Sequence, residues 1–284
     1  MTTNAHLIIE SPARLNLHLY RWGSAGSPCY LVHGSGDHCR VWDCFASRLL
    51  PDYCVYALDL RGHGDSSWDK RGRYTPADYA GDLLSALDSL STGPATLIGH
   101  SLGADVVMQV ASARPERVRS VVLVDPGIGR TDFTRTFVRD TLLSTPRSFD
   151  SISSYCRVLR EQRPLADAAL LPDIARHSLR RGEDGSFEVK FDPAIATSPD
   201  DSDPAKWWAT LKALKCPLLL VRGSGSAVLS SQVAQRIVRN SAHGTLRVIT
   251  VAGHGVMIDN PHEFAATVLE FLNQWNQDRA KAAG

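Results

Sequence analysis

The run Leu97-Ile-Gly-His-Ser-Leu-Gly-Ala104 constrains this chain more than any other stretch. A short apolar strand signal over residues 95–98 leads into Gly99-His100-Ser101-Leu102-Gly103, and a helical pattern begins at Ala104. Glycines two residues to either side of a serine, between a strand and a helix, mark a sharp turn that exposes the serine hydroxyl at its tip. The turn strains the serine backbone. The helix must also pass close to neighbouring strands, so side chains at positions 99 and 103 would clash. The Leu102 amide falls at the positive end of the helix. Such a pattern also arises by chance, so its meaning depends on a histidine, an acid and a second oxyanion donor in suitable loops.

The rest of the chain has the strands such a turn requires. Residues 29–32, 53–58, 118–124, 217–221 and 246–251 are short apolar runs of the kind buried on both faces of a parallel sheet. Helical spacing over 74–90, 231–240 and 262–277 separates several of them. Residues 7–9 and 15–19 alternate apolar with polar, which predicts an exposed antiparallel edge. Repeated strand-helix units imply an α/β fold, a mostly parallel sheet with helices on both faces. The alternation breaks between 130 and 206, where helical patterns, many arginines and a polar Ser198-Pro-Asp-Asp-Ser-Asp-Pro204 segment occur, and where only 186–191 could be extended. Residues 1–129 and 207–284 are expected to form the core, with 130–206 lying over it as an insertion.

Composition narrows the function classes. Hydrophobic content of 43%, charged content of 21% and net charge +1 describe a globular chain with no electrostatic pull toward nucleic acid or an anionic membrane. The six cysteines form no C-x-x-C pair and no zinc-like spacing with histidine, which favours free thiols. The N-terminus lacks the pattern of a signal peptide, and no apolar run reaches the ~20 residues of a membrane span. A cytoplasmic protein is expected.

With these pieces placed, the chain resembles the α/β-hydrolase family over essentially its whole length. The resemblance rests on His33-Gly34, Arg61-Gly-His-Gly-Asp-Ser66, Gly99-His-Ser-Leu-Gly103 and Gly253-His254-Gly255, in that order. It implies the α/β-hydrolase fold, a serine nucleophile, a late histidine base and a helical cap inserted after the sixth strand, where 130–206 lies. Ser101 is then the nucleophile. His254 is the best base, because it follows a strand, sits between glycines and precedes the last helix, at the sheet end where open α/β folds place their sites. The oxyanion hole would use the Leu102 amide and, from the loop after His33-Gly34, the amide of Ser35, with Gly36 as a second choice. His33, His100 and His63 are expected to support turns. His6, His18, His38, His177, His243 and His262 are expected at the surface.

The acid departs from the family pattern. Most members carry it after the seventh strand, in a segment resembling Arg222-Gly-Ser-Gly-Ser-Ala-Val-Leu-Ser230, where the residue after Ser226 is aspartate. Here it is Ala227, and no carboxylate occurs over 221–230. One explanation moves the acid to Asp125 after the sixth strand, as in dehalogenase-like members. The other is that Ala227 marks a loss, natural or engineered, with Asp125 only supporting the cap hinge.

Remaining signals read as structural. Asp59, Arg61 and Asp65 are expected to pair locally, Asp105 to suit its helix end, Trp42 to lie in the core, and Trp207-Trp208 to pack the cap on the core. The expected activity is hydrolysis or acyl transfer on a small ester, lactone, thioester or β-diketone-type substrate. No metal or organic cofactor is implied. Two other readings stay open: a ligand-binding protein without turnover, which the missing acid motivates, and a biosynthetic cyclase. Oligomeric state is not legible.

Overall fold

The computed structural model describes residues 4–127, 132–198 and 203–283. The alternating N-terminal segments form β1 (Ala5–Glu10) and β2 (Asn16–Trp22), paired antiparallel at one edge. The buried runs follow as β3 (Ser27–Val32), β4 (Tyr53–Leu58), β5 (Ala95–His100) and β6 (Val118–Val124). Helices α1 (Asp43–Arg48), α2 (Pro76–Ser89) and α3 (Leu102–Ala113) stand between them. Thr75 starts α2 with a reciprocal capping box to Asp78, and Pro76 occupies the first turn, where its missing N–H has no helical partner to lose.

The insertion contains α4 (Asp132–Ser144), β7 (Ser148–Phe149), α5 (Ile152–Gln162), α6 (Leu171–Ser178), β8 (Leu179–Arg181) and β9 (Phe187–Val189). Helix α7 (Pro204–Ala213) returns the chain to the sheet. Then come β10 (Leu218–Gly223), α8 (Ser231–Arg239), β11 (Gly244–Ile249), α9 (Val256–Asp259) and α10 (Pro261–Ala283). The expectation of a helical cap needs correction in part, because β7, β9 and β8 form a small antiparallel sheet, with β9 inside the 186–191 stretch that could be extended. The two- and three-residue strands β7 and β8 are too short to leave a periodic signal in sequence. Arg130 and positions 199–202 of the polar segment lie outside the described residues.

The large sheet runs β1-β2-β4-β3-β5-β6-β10-β11, and every neighbour pair from β4 onward is parallel. Its order makes a site. From β3 the chain steps to β4 on one side, then returns to β5 on the other, so the loops leaving β3 and β5 diverge and open a crevice. Val32 pairs with Gly99, which places the loop after His33 beside His100 and Ser101. β4, β5 and β10 are buried throughout, with helices on both faces.

Several expectations for polar side chains change in detail. His18 and His38 are buried rather than surface residues. His18 Nδ1 bonds Asp59 Oδ2 at 2.7 Å, and His38 Nε2 reaches into the insertion, to the Ile174 carbonyl at 3.2 Å and Ser178 Oγ at 3.0 Å. Arg61 does not pair with Asp59 or Asp65. Its fork grips both oxygens of the buried Asp82 on α2 at 2.6 Å each, while Asp65 pairs with Lys190 of the insertion at 2.6 Å. Trp42 is fully buried, and the Trp207 indole N–H donates to Asp105 Oδ1 at 2.8 Å, joining α7 to the elbow helix α3.

Candidate active site

Ser101 occupies the cap position of α3 with φ 52° and ψ −116°, a backbone region that costs a non-glycine residue ~1–3 kcal/mol. Its side chain caps nothing in the helix, so the hydroxyl is left for other work. The flanking glycines are dictated by contact. A Cβ on Gly99 would stand 2.1 Å from the Gly103 carbonyl oxygen, and one on Gly103 would stand 2.3 Å from the Val32 carbonyl oxygen. Leu102, the first residue of α3, keeps its amide at the positive helix end beside Ser101.

The second candidate oxyanion donor sits in a tight turn. Asp37 N–H donates to the Gly34 carbonyl at 3.2 Å, which closes a four-residue turn with Ser35 and Gly36 at its centre. Gly36 takes φ +78°, which suits glycine at the third position. Gly34 brings this turn against the elbow: an added Cβ would lie 2.9 Å from His100 Nδ1 and 3.2 Å from Ser101 Cβ. His33 anchors the turn from beneath, bonding the Gly34 carbonyl through Nδ1 at 2.7 Å and accepting from Leu60 N–H at Nε2, 3.0 Å.

His254 follows β11 and lies part-exposed in its glycine-flanked loop. Its Nδ1 is 2.7 Å from Asp125 Oδ2, and the Asp125 side chain is fully buried. With Nδ1–H donating to a carboxylate, Nε2 is the ring's free acceptor. Asp125 also has a left-handed backbone, φ 46°, directly after β6. Its second supports come from the segment that lacks a carboxylate. Ser226 Oγ donates to Asp125 Oδ2 at 2.6 Å, and Gly223 N–H approaches Oδ1 at 3.4 Å. Ser226 Oγ in turn accepts from the amides of Val228 and Leu229. The buried Arg222 guanidinium holds the same loop through the carbonyls of Leu229, Ser224 and Ser226.

The His254 loop is fastened at two further points. His100 Nε2 bonds the His254 carbonyl at 2.8 Å, and Asp259 Oδ2 accepts from Gly253 N–H at 2.8 Å. Burial, then the neighbouring His254, pushes His100 down to about 3, so it is a neutral donor through Nε2–H. Gly223 lacks a side chain because a Cβ there would meet the Gly253 carbonyl oxygen at 2.0 Å. The structure thus brings Ser101, Leu102, Ser35, His254 and Asp125 to one end of the sheet. Sequence reading missed Ser226 and Asp259, and only the serine beside Ala227 offered a signal.

A sequence profile described as the alpha/beta hydrolase family matches residues 29–267. The chain belongs to that family. Among its alpha/beta hydrolase relatives, the "Esterase Rv0045c" of Mycobacterium tuberculosis is 29% identical, over 89% of this chain and 85% of its own length. The "2-hydroxymuconate semialdehyde hydrolase" of Pseudomonas sp. strain CF600 is 27% identical, over 93% and 92%. The crystal structure of an alpha/beta hydrolase from Novosphingobium aromaticivorans superimposes with a TM-score of 0.83 at 27% identity, covering 96% of this chain and 99% of that one.

One potential metal-ligand group occurs among the described residues of this alpha/beta hydrolase. His18 Nδ1, Cys39 Sγ and an Asp59 oxygen lie within 4.8 Å of one another, all buried. Asp59 already accepts from His18, from Cys39 N–H at 2.6 Å and from Asp65 N–H at 2.9 Å. Its 2.7 Å contact with His18 is hydrogen-bond length, shorter than the roughly 3 Å or more between two ligands that each sit ~2 Å from one ion. The group is read as a hydrogen-bonded support for the β2 and β4 ends.

Proposed function

We propose that this alpha/beta hydrolase is a serine hydrolase that cleaves a small ester, thioester, lactone or β-diketone-type substrate through an acyl-enzyme on Ser101. The observation that carries this reading is the 2.7 Å contact between His254 and the fully buried Asp125, at the sheet end that also holds the strained Ser101. A serine hydroxyl is a poor nucleophile unless a base accepts its proton, and the base needs a partner that fixes its tautomer. Asp125 supplies the carboxylate absent at Ala227, which removes the motive for a protein that binds without turnover.

In this mechanism Ser101 Oγ bonds to the substrate carbonyl carbon as its proton passes to His254 Nε2. The carbonyl π electrons move to oxygen, where the Leu102 and Ser35 amides hold the developing charge. Asp125 stabilises the imidazolium through Nδ1–H. Collapse of the adduct expels the leaving group, which takes the proton from His254. Water then repeats the sequence on the acyl-enzyme, His254 again acting as base. The insertion over residues 132–198 acts as the cap that bounds the acyl pocket. The names of the relatives, an esterase and a semialdehyde hydrolase, support hydrolysis of a carbonyl substrate and leave the natural one to assay.

A fluorophosphonate probe followed by peptide mapping tests the reading. Labelling of Ser101, lost in Ser101→Ala, is expected together with turnover of short acyl nitrophenyl esters. An unlabelled, inactive wild-type protein that is properly folded would overturn it.

A further inference from the structure

The Asp37 side chain is only 6% exposed, while its backbone N–H closes the turn that carries Ser35. Its partner comes from the insertion. Arg163, the residue directly after α5, donates from Nη2 to Asp37 Oδ1 at 2.5 Å. The groups around this carboxylate are Arg163 and Tyr155 from the insertion, His100 from β5, His63, and His33 and His38 from its own loop. Burial keeps the four histidines below their usual range and Tyr155 above its own, so Arg163 is the single cation among these groups at neutral pH. Burial works to raise the Asp37 pKa, but Arg163 first, with His100 and His33 after it, turns the net direction down. A second contact acts on the same turn: Leu142 Cδ2 from α4 fills the space where a Gly36 side chain would begin, at 2.7 Å.

We propose that Arg163 is a positioning residue for hydrolysis, pairing with the Asp37 carboxylate so that the insertion holds the Ser35 turn in register with Ser101. The inference rests on the serine-hydrolase reading above. Its physical content has two parts. An unpaired buried carboxylate two residues beyond the Ser35 donor would oppose negative charge on the substrate oxygen, and it would also drag the turn toward water. With Arg163 in place the carboxylate is neutralised, and the turn geometry is tied to the seating of the cap.

Steady-state kinetics on a nitrophenyl ester and the rate of fluorophosphonate labelling separate this role from simple packing. Because a misplaced oxyanion donor acts on the transition state, Arg163→Met should lower kcat about 100-fold with KM within about threefold, and slow labelling in parallel. Arg163→Lys keeps the charge but loses the fork, and should lose about tenfold in kcat. The double variant Asp37→Asn/Arg163→Met removes the charge that Arg163 neutralises beside the Ser35 turn, and should regain at least about tenfold over Arg163→Met. If Arg163→Met does not fold, Arg163→Lys and the double variant are compared with wild type. A kcat unchanged in Arg163→Lys and Arg163→Met, or a double variant no faster than Arg163→Met, overturns the proposal. Failure of the wild type itself to label is a different result, since it removes the serine-hydrolase reading and this inference with it.

Discussion

Ser226 donates its hydroxyl hydrogen to Asp125 Oδ2 at 2.6 Å, the same oxygen that His254 Nδ1 meets at 2.7 Å. The loop after β10, where most relatives are expected to carry the acid, therefore still serves this pair, through a serine and at one remove. Asp125→Asn should fold and lose up to about 10⁴-fold in kcat, because the amide favours the wrong imidazole tautomer. Ala227→Asp in the wild-type background should give no gain of comparable size. Ester kinetics on the two variants, with circular dichroism as the folding control, decide between them.

Ser226→Ala should be milder in activity and measurable in stability. It removes one donor to a buried carboxylate and leaves the Val228 and Leu229 amides without their acceptor. Leaving such groups unsatisfied costs roughly 1–3 kcal/mol, while the His254 contact to Asp125 remains. Urea melts should show the loss, with kcat reduced about tenfold or less.

Gly103→Ala tests the elbow packing. The new Cβ would lie 2.3 Å from the Val32 carbonyl oxygen and 2.7 Å from that of His33, both backbone atoms that cannot swing aside. The helix must shift away from β3, which separates the Leu102 amide from the turn at Ser35. Loss of soluble protein, or a fall in Tm of more than about 5 °C with activity lost, is expected.

Stability should fall in mild acid. Burial is the leading cause that depresses three histidines in the folded state, His38 to about 4 and His63 and His100 to about 3. Unfolded, each titrates near 6.5, so below that pH the unfolded chain binds more protons than the folded one. The stability these neutral rings contribute is complete above about pH 6.5 and is lost as pH drops toward the folded values. Chemical denaturation at pH 7.0 and 5.0 should differ by several kcal/mol, about 1.4 per histidine per pH unit at most. His100→Asn should flatten the slope.

The sequence alone determined the sheet and the elbow turn at Ser101, because both are written locally. A strand buried on two faces must be apolar throughout, so β4 and β6 could be placed to the residue at both ends. A turn as tight as that at Ser101 admits only glycine at 99 and 103, which makes the elbow visible without any neighbour in view. The carboxylate beside His254 was different. Asp125 and Ala227 are 102 positions apart, and no local pattern tells which loop faces His254; that follows from β10 lying beside β6 in the sheet. The burial of His18 and His38, the small sheet of the insertion and the Arg163–Asp37 pair were likewise decided by tertiary packing. Each joins segments distant in sequence, and a polar residue carries no mark of the partner that makes its burial tolerable.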